Sequence, residues 1–325
     1  MRYALDVQYR GKNYAGSQIQ YENGRQIEEP TIQGELERAL STLIRNSRCK
    51  PESGHESVPS KANTTAKRIN KQDRQVKTIF SGRTDKGVNA LGQVIHFDTD
   101  KEIVASSFIY HINEILPPDI SVNNLRVVSS SFHAQKSAKA RYYKYELINR
   151  RYKQAFDGDI LRVKYELDVE RMQTALNFLL GEHDFSSFKS SGTLNPSKVC
   201  ILTKAEVEKQ GDRIFIHFVG NRFLYNMVRT IVGTLLEIEG HKLPVEHMKE
   251  VLEAHDRRKA GQTVNPYGLT LMRVEYPAVN CESWIVDRNY KVGSLFTTHD
   301  SRSTIQKQEG KRKCQIKHIQ QNLLK

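Results

Sequence analysis

The chain has 325 residues, 38% of them hydrophobic, and carries 50 Lys and Arg against 37 Asp and Glu for a net charge of +13. That is room for two domains with proper cores, and no apolar run approaches the roughly 20 residues of a membrane span; the start Met1-Arg2-Tyr3-Ala4-Leu5-Asp6 meets charge at once and has no secretory h-region. Cys49, Cys200, Cys281 and Cys314 lie far apart without a Cys-x-x-Cys pair, which argues against a zinc site or disulfide framework and leaves free thiols in a reducing, cytoplasmic setting.

Tyr3, Leu5, Val7 and Tyr9 alternate with Ala4, Asp6 and Gln8, the pattern of a half-buried strand. Ile32, Leu36, Ala39, Leu40 and Leu43 recur at helical spacing behind a cap at Thr31. Strands follow at 78–80 and 94–97. Val104, Phe108, Ile109, Ile112 and Ile115 mark a helix stopped by Pro117-Pro118, before a strand near 122–128. The order is β-α-β-β-α-β. The remainder repeats it: a strand at 141–147, a helix at 169–180 closed by Gly181, strands near 201–207 and 214–219, a helix at 223–237 and a strand at 269–276. An additional helix near 245–254 precedes the last strand. Two copies of a split β-α-β unit predict an α+β protein of two ferredoxin-like halves, residues 1–130 and 131–277, each an antiparallel sheet with helices on one face and a cleft between them.

Ser81-Gly82-Arg83-Thr84-Asp85-Lys86-Gly87-Val88 stands between two apolar strand-like stretches. Gly82 and Gly87 permit positive φ or close backbone approach, and Thr84 and Asp85 can bond to neighbouring amides, so the turn is rigid and Asp85 points outward. An outward, preorganised carboxylate can act on a ligand. The spacing alone fits equally a capped turn in which Asp85 only satisfies local amides and Arg83 screens it.

Continued through Asn89-Ala90-Leu91-Gly92-Gln93-Val94-Ile95-His96-Phe97, the run resembles the signature loop of the TruA-type tRNA pseudouridine synthases. Further blocks resemble that family in its order. They are Phe132-His133-Ala134 with Arg141-Tyr142-Tyr143-Lys144-Tyr145, then Gly181-Glu182-His183-Asp184-Phe185-Ser186-Ser187-Phe188, then Phe223-Leu224-Tyr225-Asn226-Met227-Val228-Arg229, and lastly Gly268-Leu269 with Leu271 and Val274. The early block departs from the family at Ser17, where an aromatic residue is usual.

The resemblance implies what the pattern alone does not, beginning with the sheets of the two halves joined around a central catalytic cleft. It makes Asp85 the catalytic aspartate, Arg229 its ion-pair partner and Tyr143 the tyrosine packed against the target base, with Arg83 placed to enter the space the base vacates. In an arbitrary protein Tyr143 would be core packing and Arg229 a snorkelling stem at the border of its helix's apolar stripe. The implied reaction is isomerisation of uridine to pseudouridine in the tRNA anticodon stem-loop, around positions 38–40, by a homodimer with no metal and no other cofactor. A metal-dependent nuclease would need clustered carboxylates, whereas Asp85 is alone in its turn. A catalytically idle RNA-binding protein of the same fold is the main rival, and a pseudouridine synthase acting on other RNA positions is the second.

The charge adds a separate expectation. Residues 45–77 carry nine basic and three acidic side chains, and 301–325 seven and one, so these two segments hold nearly all the net charge. Both are poor in aromatic residues, which reads as solvated chain suited to tracking RNA phosphates; residues 278–325 form a basic tail beyond the second half.

Overall fold

The computed structural model describes residues 1–22, 24–46, 76–190 and 197–277. The basic segments 47–75 and 278–325 lie outside the described residues. All described residues fall within one unit, residues 1–285.

Twelve strands and five helices are described. The first part of the chain forms β1 (Arg2–Tyr9), a short hairpin β2 (Tyr21–Glu22) and β3 (Arg25–Gln26), and α1 (Ile32–Asn46). Then come β4 (Thr78–Phe80), β5 (Asn89–Asp98), α2 (Ala105–Ile115) and β6 (Ile120–Val128). The second part forms β7 (Ala140–Asn149), β8 (Leu161–Val163), α3 (Val169–Asn177), β9 (Gly181–Asp184), β10 (Val199–Gln210), β11 (Arg213–Gly220), α4 (Met227–Gly240), α5 (His247–Ala254) and β12 (Leu269–Glu275).

Local chemistry sets several boundaries. The Thr31 hydroxyl accepts from the Gly34 N–H at 3.1 Å and opens α1, while Asp168 accepts from the N–H groups of Glu170 and Arg171 and opens α3. A two-residue turn with Gly211 at φ +60° folds β10 onto β11. Two expected boundaries shift. The helix expected at 169–180 ends at Asn177, and Gly181, at φ +100°, instead swings the chain into β9. The helix expected from Phe223 begins only at Met227, because Asn226 adopts a left-handed conformation at φ 61°, ψ 5°.

Ten strands make one mixed sheet in the order β6-β1-β5-β12-β7-β11-β10-β9, with β4 beside β5 and β8 beside β7. The sheets of the two parts are joined into one continuous sheet. Its seam is the short parallel pairing of β12 with β5, at Thr270–Asn89 and Leu271–Ala90. Register carries a row of side chains straight across that seam: Tyr9 opposite Ala90, Ala90 beside Leu271, Leu271 opposite Tyr143, and Tyr143 opposite Phe218. Paired residues share a face.

Both apolar cores lie on that face. Tyr3, Leu5 and Val7 pack with Leu36 and Leu40 of α1 and Ile112 of α2, while Leu147, Ile216 and Phe218 pack with Leu176 of α3, Ile231 and Leu235 of α4 and Val251 of α5. Tyr143 touches both cores. A smaller cluster of Ala4, Val128, Phe132 and Ala134 covers part of the opposite face. The buried Glu37 carboxylate accepts from the Thr78 N–H at 2.8 Å and its hydroxyl at 3.0 Å, pinning β4 to α1 just before the Asp85 turn.

Near that smaller cluster the buried His96 accepts from the Ala134 N–H at 3.1 Å and lies against His133. Burial, aided by Arg2 and His133 and opposed by Asp98, pushes its pKa down to about 4. A histidine with a depressed folded pKa is neutral in the native state and penalises protonation. Stability is therefore expected to fall as pH drops from about 6.5, the ordinary histidine value, towards 4. His96→Asn, which keeps an acceptor near the Nδ1 position, should flatten that slope in urea unfolding between pH 7 and pH 5; an unchanged slope would assign the loss to other groups.

Candidate active site

The Asp85 turn is closed by the Val88 N–H donating to the Asp85 carbonyl at 3.1 Å. Gly87 takes the third position at φ +83°, as a type II turn requires. A Cβ there would also stand 2.6 Å from Pro266 Cγ. Gly87→Ala combines backbone strain with a clash and is expected to cost about 1–3 kcal/mol in denaturant unfolding. Gly82 has neither constraint; a Cβ built on it meets nothing within 4 Å.

The turn is fastened from outside more than by its own amides. Ser17, fully buried, accepts from the Thr84 N–H at 2.8 Å through its hydroxyl, and its own N–H donates to the Thr84 carbonyl at 3.0 Å. The Thr84 hydroxyl pairs with the Tyr9 hydroxyl at 2.8 Å, and Gln93 donates to the Gly82 carbonyl at 3.0 Å. Arg141 of β7 reaches across from the second core: its guanidinium donates to the carbonyls of Ser81, Gln135, Ala138 and Asn221. Small, polar Ser17 is thus the clamp on this turn. An aromatic side chain at that position could not supply the hydroxyl.

Held in this way, Asp85 does not project from an exposed turn as the sequence suggested. Its carboxylate is 21% exposed and lies 3.7 Å from Arg229 Nη1, whose side chain is 15% exposed. Burial pushes the Asp85 pKa up, and Arg229 opposes that push. At 3.7 Å the contact is the ion pair that the resemblance implies, too long for a hydrogen bond and so not a bidentate fork. The hydrogen bonds of Arg229 go elsewhere. Nε donates to the Val264 carbonyl at 2.8 Å and Nη1 to Asn226 Oδ1 at 2.7 Å.

Asp85, Arg83 and Tyr143 line a groove of about 1500 Å³. Tyr143 is half-buried, its ring edge-on to Phe223 at 5.0 Å, and burial, with Tyr9 and Asp85 nearby, pushes its pKa up, so the phenol stays protonated. Arg83 is exposed at the groove and donates to Gln18 Oε1. Lys86, Lys136, Arg141 and Arg222 add positive charge to the walls, against Glu28 and Glu29. Arg229 does not line the groove but supports Asp85 from the α4 side. Among the described residues no three His, Cys, Asp or Glu side chains gather where a metal ion could be held.

This groove, with a carboxylate backed by arginine beside a tyrosine, belongs to a chain that matches known proteins in sequence. A family model described as tRNA pseudouridine synthase matches residues 175–277. The protein named tRNA pseudouridine synthase A of Colwellia psychrerythraea is 36% identical over 278 residues, 85% of this chain and 94% of its own length. The chain belongs to the tRNA pseudouridine synthase family. Proteins of the same name from an Exiguobacterium species and from Pseudomonas aeruginosa are 38% and 37% identical, covering 86% and 85% of this chain and 99% and 86% of their own. Sequence reasoning named Asp85, Arg229, Tyr143 and Arg83, and three of the four line one groove while Arg229 backs it. It gave no role to Ser17, Arg141 or Asn226. Polar side chains that bond backbone or other side chains leave no periodic signal.

Proposed function

We propose that this protein isomerises uridine to pseudouridine in tRNA, with Asp85 as the catalytic carboxylate. The observation that carries the reading is the Asp85–Arg229 ion pair, set behind a groove wide enough for an extruded nucleotide and beside the Tyr143 ring. The reaction breaks the bond between uracil N1 and ribose C1′ and forms one between C5 and C1′; C5 loses a proton and N1 gains one, so no oxidant or reductant enters. One ionised carboxylate suffices to add to the base or to act at C1′. Arg229 supports that ionised form against the desolvation Asp85 suffers in the groove wall.

The target base leaves its stack to reach the groove, since no side chain reaches a glycosidic bond inside a paired stem. Tyr143 presents its ring to the uracil, and Arg83, exposed two residues before Asp85, fills the space left in the RNA. We assign the residues before and after about 130 to two ferredoxin-like halves, a reading supported by the two apolar cores and by the seam at β5–β12. The substrate region is the anticodon stem-loop around positions 38–40, the working form a homodimer and the compartment the cytoplasm.

Incubation of the purified protein with unmodified tRNA, followed by mapping of pseudouridine, tests the reading. Pseudouridine at 38–40 is expected, unaffected by EDTA. Binding of tRNA with no modified uridine would favour the idle RNA-binding alternative. Deleting 45–77 or 301–325 is expected to weaken tRNA binding and flatten its salt dependence by about 0.7–0.9 in log–log slope for each phosphate no longer neutralised. Unchanged slopes would reduce those segments to solvated charge.

A further inference from the structure

Asn226 is the residue before α4, and its conformation is unusual for that place. A residue in this position ordinarily has extended backbone and turns its side-chain oxygen onto the N–H of the second or third helical residue. Asn226 instead sits in the left-handed region at φ 61°, ψ 5°, with no side-chain bond to the N–H groups that open its helix. Asparagine tolerates that region better than other residues bearing a Cβ, but it gives up its capping bond here. The side chain is committed elsewhere. Oδ1 accepts from Arg229 Nη1 at 2.7 Å, and Nδ2 donates to Ser190 Oγ at 3.0 Å. The Ser190 N–H in turn donates to the Tyr225 carbonyl at 3.1 Å, closing the loop before α4 onto the segment carrying Ser190.

We infer that Asn226 is a positioning residue, which fixes the Arg229 guanidinium so that Nη1 faces Asp85. The inference rests on the reading of Asp85 as the catalytic carboxylate. Nη1 is the atom nearest Asp85, at 3.7 Å, and the same atom is held by Asn226 Oδ1; Nε, held by the Val264 carbonyl, fixes the other side of the plane. Two acceptors on different donors of a planar group define its orientation. Without Oδ1 the guanidinium can pivot about its bond to Val264, and its attraction for Asp85 is averaged over longer distances. A neutral amide is the fitting acceptor. It orients Arg229 without drawing its charge away from Asp85, as a carboxylate would.

Other charged and titratable groups line the groove with Asp85. Tyr143 and Arg141 come from β7, Arg222 from the loop before α4, Arg83 and Lys86 from its own turn, and Glu28 and Glu29 from the segment after β3. Tyr145 of β7 lies close enough to Arg229 for the cation to ease its ionisation. The Asn226 side chain bonds Arg229 and Ser190 and none of these groups, so substitutions there isolate the contribution of Arg229.

Asn226→Gly and Asn226→Asp, with Asp85→Asn as reference, provide the test. Glycine accepts the left-handed backbone without strain, so Asn226→Gly should keep the melting temperature while removing the acceptor. Turnover on saturating tRNA at pH 7 should fall on the order of 10-fold to 100-fold, as for loss of a group that orients a reacting one. The acid limb of kcat against pH should move to higher pH, because Asp85 loses support for its ionised form. Asn226→Asp keeps an acceptor but shares the Arg229 charge, and its acid limb should move further than that of Asn226→Gly. Asn226→Gly with wild-type turnover and acid limb, or with a lowered melting temperature and an unmoved limb, overturns the inference. If Asp85→Asn is inactive in the same assay, the Asp85 reading survives that failure; activity in Asp85→Asn removes both.

Discussion

Asp85→Asn is expected to lower pseudouridine formation to below about a thousandth of wild type while tRNA affinity changes little. Asparagine keeps the shape of the side chain and its place in the turn, but it is no nucleophile and carries no charge for Arg229 to support. Turnover near the wild-type level would remove Asp85 from the chemistry. The variant also makes a claim about stability. Burial raises the folded pKa of Asp85 above its ordinary value, so ionised Asp85 is a cost to the native state. Below the ordinary carboxylate value both states are protonated and the cost is absent; above the raised folded value it is present in full.

Asp85→Asn removes that cost. Arg229 still has the Val264 carbonyl and Asn226 Oδ1 as acceptors, so the substitution does not leave a cation without partners. The melting temperature of Asp85→Asn at pH 7 should equal or exceed that of wild type, and the two should converge as pH falls below the raised value. A lower melting temperature at pH 7 would mean that the ion pair stabilises the fold more than desolvation weakens it. Gain in stability with loss of turnover is the expected mark of a site that holds strain for function.

What the sequence revealed followed from repetition and patterning. Alternating Tyr3, Leu5, Val7 and Tyr9 and the helical spacing from Ile32 to Leu43 place β1 and α1 within a few residues, because burial of one face dictates side-chain chemistry at fixed intervals. The two- to four-residue strands β2, β3, β8 and β9 carry too few positions for a period to show. The resemblance implied joined sheets, but where they join was hidden in the pattern: only two residue pairs, at Ala90 and Asn89, make the parallel seam, and parallel neighbours far apart in sequence share no turn signal. At the site the family blocks marked Asp85, Tyr143, Arg83 and Arg229. The support of the Asp85 turn was not legible, since Ser17 and Arg141 act through backbone carbonyls and amides that every residue possesses. Asn226 was hidden for a related reason, because its left-handed backbone breaks the helix where the apolar stripe alone predicts continuation from Phe223.

Arg229→Lys retains one positive charge and should still be severely impaired, because the arginine does three things through two of its nitrogens. Nη1 faces Asp85 at 3.7 Å and meets Asn226 Oδ1, while Nε satisfies the Val264 carbonyl. An ammonium at the end of a flexible stem occupies one place. If it binds the Val264 carbonyl it withdraws from Asp85, whose pKa then rises further under the desolvation that Arg229 now opposes; if it pairs with Asp85, the half-buried Val264 carbonyl loses its side-chain partner. Turnover at pH 7 should drop by on the order of 100-fold or more, recovering in part at higher pH as Asp85 ionises. Full activity in Arg229→Lys across the pH range would show that any nearby positive charge suffices and that the planar guanidinium at this position has a structural purpose alone.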